Sequence, residues 1–179
     1  SHYDAFPEIV VDYMNKVNAK IGTDYKPFNY YGAPDVTEVI VAMGSVCECA
    51  EEVVDYLNAK GSKVGLVKVH LYRPFVPKYL TAVLPKTVKK VTVLDRTKER
   101  GSIGEPLYLD IVAALKDTEF GSLPIYTGRY GLGSKDTNPG QIVAVYRNME
   151  SASPKKRFTI GIDDDVTHLS LEIKENPDT

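Results

Sequence analysis

The 179-residue chain is long enough for one domain with a tail, and its hydrophobic share of 43% suffices for a core. A formal net charge of −2 supplies no basic field for nucleic acid or a membrane surface, and no apolar run approaches the length of a membrane span. We expect no secretory signal, and the start Ser1-His2-Tyr3, which lacks Met, reads as a fragment of a longer protein.

Ala5 to Val17 places Ile9, Val10, Tyr13, Met14 and Val17 on a helical stripe, with Pro7 early in the helix. Lys20 to Pro34 holds two Gly, two Pro and the aromatics Phe28, Tyr30 and Tyr31, and reads as a linker arm on a surface. These aromatics either pack on this domain's own flank or dock against a neighbouring domain. Val36 to Met43 reads as a strand apolar on both faces, which suits a sheet covered by helices on each side. Gly44-Ser45 turns the chain into a helix, Val46 to Ala59, with Gly61 as its C′ residue. Lys63 to Leu71 is a second strand, ended by Arg73-Pro74, and a short helix from Lys78 to Leu84 begins at Pro77.

The third strand, Val91 to Leu94, stops at a charged loop holding Asp95, Arg96, Lys98, Glu99, Arg100, Gly101 and Gly104. A helix follows from about Glu105 to Lys116, carrying Leu107, Leu109, Ile111, Val112 and Leu115. Leu123 to Thr127 is a fourth strand and Gly128 to Asn138 a polar, glycine-rich loop. Asn138 caps a helix that opens at Pro139 and runs to Asn148, and Phe158 to Ile162 is a fifth strand before a polar tail. Strands alternating with helices predict an α/β, three-layer α/β/α domain with a five-stranded, mostly parallel sheet. The expected division is 1–34 for the N-terminal helix and linker arm, 35–171 for the α/β domain and 172–179 for the tail.

Chemistry-bearing residues are few. Cys47 and Cys49, the chain's two cysteines, are too few for a disulfide framework or a four-ligand metal site, and read as small packed thiols in a reduced, cytoplasmic compartment. Gly131, Gly133, Ser134 and Lys135 invite an anion or nucleotide reading, but the spacing departs from a phosphate loop, and Gly44-Ser45 lacks the dinucleotide fingerprint. Asp163-Asp164-Asp165 cannot converge on one ion from an extended chain. The charged loop after the third strand lies where ligands and partners sit in open α/β sheets, yet no nucleophile with a base partner accompanies it.

Three stretches together resemble the C-terminal domain of transketolase-type thiamine enzymes: Val39 to Gly61, Val64 to Leu80, and Val91 to Asp110. Within that group YYGAPDVTEVIVAMGSV, KVHLYRPF, LPKTVKKVTVLDRTKE, GEPLYLD, GRYGLGSKD and DDVTHLSL closely resemble the second core domain of the pyruvate:ferredoxin (flavodoxin) oxidoreductase family. The resemblance runs from about Tyr30 to Leu171, with one departure: Arg100 stands where a proline is expected before Gly101. It implies a full enzyme that oxidatively decarboxylates pyruvate to acetyl-CoA with thiamine diphosphate, Mg, [4Fe-4S] clusters and CoA. Electrons pass to ferredoxin or flavodoxin. It implies that thiamine and the clusters are held elsewhere, so that this fragment has no cofactor or catalytic set. Its partners would be other domains of the same polypeptide and a second subunit of a homodimer. The residues expected at those interfaces are Arg73, Asp95, Arg96, Lys98, Glu105, Phe28, Tyr30 and Tyr31. The alternative is a stand-alone anion- or nucleotide-binding module.

Overall fold

The computed structural model describes residues 26–70, 75–96, 106–131 and 137–160, together with the helical residues Glu8, Val11, Met14 and Asn15. Six strands are β1 (Phe28–Gly32), β2 (Glu38–Met43), β3 (Val64–Val69), β4 (Lys90–Arg96), β5 (Ile125–Tyr130) and β6 (Arg157–Thr159). Between them run α1 (Val46–Ala59), α2 (Pro77–Val83), α3 (Pro106–Leu115) and α4 (Pro139–Glu150). The sheet order is β1-β3-β2-β4-β5-β6, with β1 antiparallel to β3 and every other pairing parallel.

The two-residue period of the strands divides the core in two. Ile40, Ala42 and Leu94 point to one face, where they meet Val46, Val53, Val54 and Leu57 of α1 and Ile142, Val145 and Tyr146 of α4. Val39, Val41, Val91 and Val93 point to the other, against Leu80 of α2 and Leu107, Ile111, Ala114 and Leu115 of α3. This is the expected three-layer α/β/α arrangement. Asn58, near the end of α1, bonds both backbone groups of Val64 at 2.9 and 3.0 Å and so fixes the start of β3 against the helix. Fully buried Tyr146 donates to the Gly65 carbonyl at 2.7 Å, satisfying its hydroxyl inside the core. Asn138 and Gln141 form a reciprocal capping box at the start of α4.

The structure corrects the expected sheet in three places. It has six strands, because the stretch around Phe28 is an edge strand and lies within what was expected to be a linker arm. Gly32, Ala33 and Pro34 disguise it, and as a half-buried edge of five residues it has no clean apolar alternation. The third strand does not stop at Leu94 but continues through Asp95 to Arg96. The fourth runs to Tyr130, through residues expected as loop. Gly128 is needed there because a Cβ would come within 2.4 Å of the Phe158 ring from the paired position on β6.

Candidate functional site: the carboxyl end of the sheet

The chain leaves β2 for β3 on one side, then crosses back to β4 on the other. The carboxyl ends of β2 and β4 therefore flank a topological switch point, the place where open α/β sheets receive ligands. Met43 ends one strand, Asp95 and Arg96 the other. Across to β5, Asp95 lies in register with Arg129 and Arg96 with Tyr130.

Asp95 is 7% exposed, and its two carboxylate oxygens accept from the backbone N–H groups of Leu107 and Tyr108, each at 3.0 Å. A strand residue thus caps the first turn of α3, placing its negative charge at the helix's positive end. This corrects the expectation of Asp95 as a residue of the charged loop: it is a buried strand residue whose carboxylate is engaged inside the domain. The Leu107 and Tyr108 amides, which a phosphate could otherwise use at this helix start, are thus taken up by the chain's own carboxylate. At α1, Glu48 contributes an acid to the first turn, which disfavours an external anion there as well.

On the α1 side the Tyr130 hydroxyl, at the end of β5, donates to the Met43 carbonyl at 3.3 Å and so reaches past the end of β4 to β2. Burial raises the Tyr130 phenol, with smaller upward contributions from Cys47 and Asp95 and a downward one from Arg96. Burial pushes the Cys47 thiol up to about 11, so it stays protonated near neutrality and is a poor nucleophile or metal ligand. Among the described residues no group of three or more His, Cys, Asp or Glu is placed to hold a metal ion. Gly131 has φ +80° and packs beside the Arg96 side chain, as a turn residue after β5. Arg73, Lys98, Glu105, Gly133, Ser134, Lys135 and the three-Asp run lie outside the described residues.

The aromatic candidates have separated. Phe28 is 1% exposed and packs edge-on against Phe75 with ring centroids 5.4 Å apart, so it is core of this domain and not a docking residue. Half-buried Tyr30 lies across Gly65 and donates to the Ala33 carbonyl. Tyr31 is half-buried against the α1 side of the core and donates to Asp55 at 2.6 Å. Beside them an open depression of about 680 Å³ includes Asp35, Asp55, Asn58 and Lys63. Its polar groups are engaged with one another or with backbone: Lys63 pairs with Asp35 at 3.1 Å, Tyr31 with Asp55, and Asn58 with Val64. That leaves little aimed at a ligand.

Sequence reasoning missed Arg129 and Tyr130 as strand residues facing the switch point. The signal was available: Ile125, Tyr126, Thr127 and Tyr130 are strand formers on both sides of Gly128.

Residues 37–142, more than half of the chain, match the family model described as pyruvate:ferredoxin oxidoreductase core domain II. A pyruvate:ferredoxin oxidoreductase of Moorella thermoacetica is 53% identical over 99% of this chain and 15% of its own length. A pyruvate-flavodoxin oxidoreductase of Enterobacter agglomerans is 50% identical over 97% of the chain and again 15% of its own length. Among solved structures, a 2-oxoglutarate:ferredoxin oxidoreductase from Magnetococcus marinus covers 75% of the chain at 22% identity, with a TM-score of 0.48, over 21% of that structure's chain. The chain therefore spans about one seventh of the length of the curated relatives it matches. It belongs to the pyruvate:ferredoxin oxidoreductase core domain II family.

Proposed function

We propose that this chain is a non-catalytic core domain of a pyruvate:ferredoxin or pyruvate:flavodoxin oxidoreductase, holding other domains and a second subunit in place while chemistry proceeds elsewhere. The observation that carries the reading is similarity over 99% of this chain to only 15% of a relative named for that reaction. The whole enzyme would convert pyruvate to acetyl-CoA with thiamine diphosphate, Mg, [4Fe-4S] clusters and CoA, and reduce ferredoxin or flavodoxin in the cytoplasm.

The residues described here do not fit those groups. A [4Fe-4S] cluster takes four thiolates, whereas the chain has two cysteines, one of them a buried neutral thiol. The amides at the start of α3, one place where a diphosphate could bind, are already engaged by Asp95. The same occupation weighs against the stand-alone anion-binding alternative. Arg96, at the end of β4, and Tyr31, half-buried beside α1, are the described residues that keep an interface role in this reading. The test is pyruvate-dependent reduction of a viologen dye by the 179-residue chain alone, with and without added thiamine diphosphate and CoA. We expect no turnover, and sustained dye reduction would overturn the reading.

A further inference from the structure

The sequence of α3, PLYLDIVAAL, is apolar around most of its circumference. Leu107, Ile111, Ala114 and Leu115 form the buried stripe, at spacings of four, three and one. The remaining turns carry a second apolar row on the outside. Pro106, Leu109 and Ala113, at spacings of three and four, are exposed, with Val112 half-buried beside them. Leu109 is 51% exposed, the further out of the two exposed large hydrophobic side chains among the described residues, ahead of Tyr56 at 37%. The helix's only charged residue is Asp110, itself half-buried.

A surface helix facing water ordinarily carries charge on its outer side. Here that side is dry, and it is held rigidly, because Asp95 fastens the first turn to β4 from inside the domain. The face cannot easily rotate inward, since the inner stripe is already filled by the sheet. About six sevenths of a relative's chain lies outside the stretch matched here, so ample protein surface is present in the same polypeptide to cover it. Pro106, Leu109 and Ala113 carry no charge, and the exposed Lys116 and Asp117 just beyond them are of opposite sign, so the row matches an apolar surface better than a nucleic acid or an acidic peptide.

We propose that the outer face of α3, centred on Leu109, is the docking surface for another domain of the same polypeptide, which meets it with apolar side chains. The contact has Leu109 as its anchor, with Lys116 and Asp117 after the helix at its rim. The proposal rests on the reading of the chain as one domain of a larger enzyme. A fragment that turned over pyruvate by itself would sink that reading and leave the following result unaffected.

The test uses the full-length protein carrying p-benzoylphenylalanine in place of Leu109, with the same photoreactive residue in place of Glu52 on α1 as the control. Irradiation of the native protein should give an efficient intramolecular cross-link at position 109. Peptide mapping should place the captured segment outside the 179 residues, and the chain should keep its monomer mass on a denaturing gel. Yield at position 52 should be at least about tenfold lower. Capture no greater at 109 than at 52 overturns the proposal. So does capture of a segment within the 179 residues, or a dimer-mass product, which would make a second copy the occupant. In the same full-length protein, Leu109→Lys should lower the recovery of correctly assembled enzyme at least about fivefold, the factor that accompanies loss of half a leucine's burial. Glu52→Lys should leave it unchanged, and equal recovery of the two variants would overturn the proposal.

Discussion

Helices α1 and α3 lie on opposite faces of one sheet, and they complete their outer surfaces in opposite ways. The outward side of α1 carries Glu48, Glu51, Glu52 and Asp55, and two of these acids find partners within the domain. Lys68 of β3 pairs with Glu51 at 2.6 Å and lies 5.9 Å from the Tyr31 ring centroid, while Tyr31 of β1 holds Asp55. At the far end, Lys60 sits over the Tyr56 ring at 4.6 Å. The outward side of α3 presents Pro106, Leu109 and Ala113. The helix starts differ as well: Ser45 gives α1 no side-chain cap, whereas Asp95 reaches out of the sheet to cap α3. The contrast teaches that this domain's α1 face is finished by its own edge strand and by water. Its α3 face is a firmly anchored apolar surface with no comparable set of acids or ion pairs among the described residues.

The sharpest way to break this contrast is at the two helix starts. Asp95→Ala should destabilise the chain by about 2–3 kcal/mol, because it strands two amides at a buried helix start and removes a charge that complements the helix dipole. Asp95→Asn, which keeps one acceptor, should recover part of the loss. Ser45→Ala should fall within about 0.5 kcal/mol of the parent, since no capping bond is removed. Urea unfolding measures all three, and hydrogen exchange at Leu107 and Tyr108 should rise selectively in the Asp95 variants. Equal costs at the two helices would remove the distinction.

A second test divides alkaline stability between the two layers. Burial, with a smaller contribution from Asp35, raises the Tyr30 phenol from 10.0 to about 12, so the fold favours its neutral form. Because the folded value lies above the unfolded one, the contribution is complete below pH 10 and is lost as the pH climbs from 10 towards 12. Tyr146, on the α1 side, is raised well above its ordinary value chiefly by burial and acts in the same direction. Urea midpoints measured across that range should fall for the parent and fall less steeply for Tyr30→Phe and for Tyr146→Phe. An unchanged slope in both variants would show that neither phenol carries the effect.

The smallest expected effect lies on the wet face. Lys68→Met removes the Glu51 pair, whose side chains are 26% and 33% exposed, and should cost at most about 1 kcal/mol. The cost should shrink as salt is added, and a loss of several kcal/mol in high salt would mean that α1 is not finished by this network.

The alternation of strands and helices was legible because β2 and β3 are largely apolar runs, α1 carries a helical apolar stripe, and Gly44 and Gly61 stand between them. The capping of α4 was equally legible in Asn138-Pro139. Asp95 was not, because its burial is compensated by amides twelve and thirteen residues further on, a partnership no local pattern announces. The switch point depends on strand order, which only the crossover between β3 and β4 reveals. Leu109 was grouped with the apolar residues of its helix, and a ten-residue segment with so many of them does not declare which row faces out. The excess was nevertheless visible, since Leu107, Ile111, Ala114 and Leu115 already fill one stripe. The edge strand β1 was hidden by the glycine and prolines around it, although its Phe28 is among the most buried side chains of the domain.

The direction of β1 has a mechanical consequence. Phe28 lies beside Val69, and Gly32 lies beside Gly65, so the chain enters the sheet at the end where the parallel strands finish. The Pro27 carbonyl is fastened there by the His70 N–H at 2.8 Å. Tension on the segment leading into Phe28, directed along the strand, loads the whole β1–β3 ladder in shear instead of peeling it one bond at a time. A pull or a twist arriving from that side is therefore delivered to the sheet as a unit, at the same edge that carries Met43, Arg96 and Tyr130.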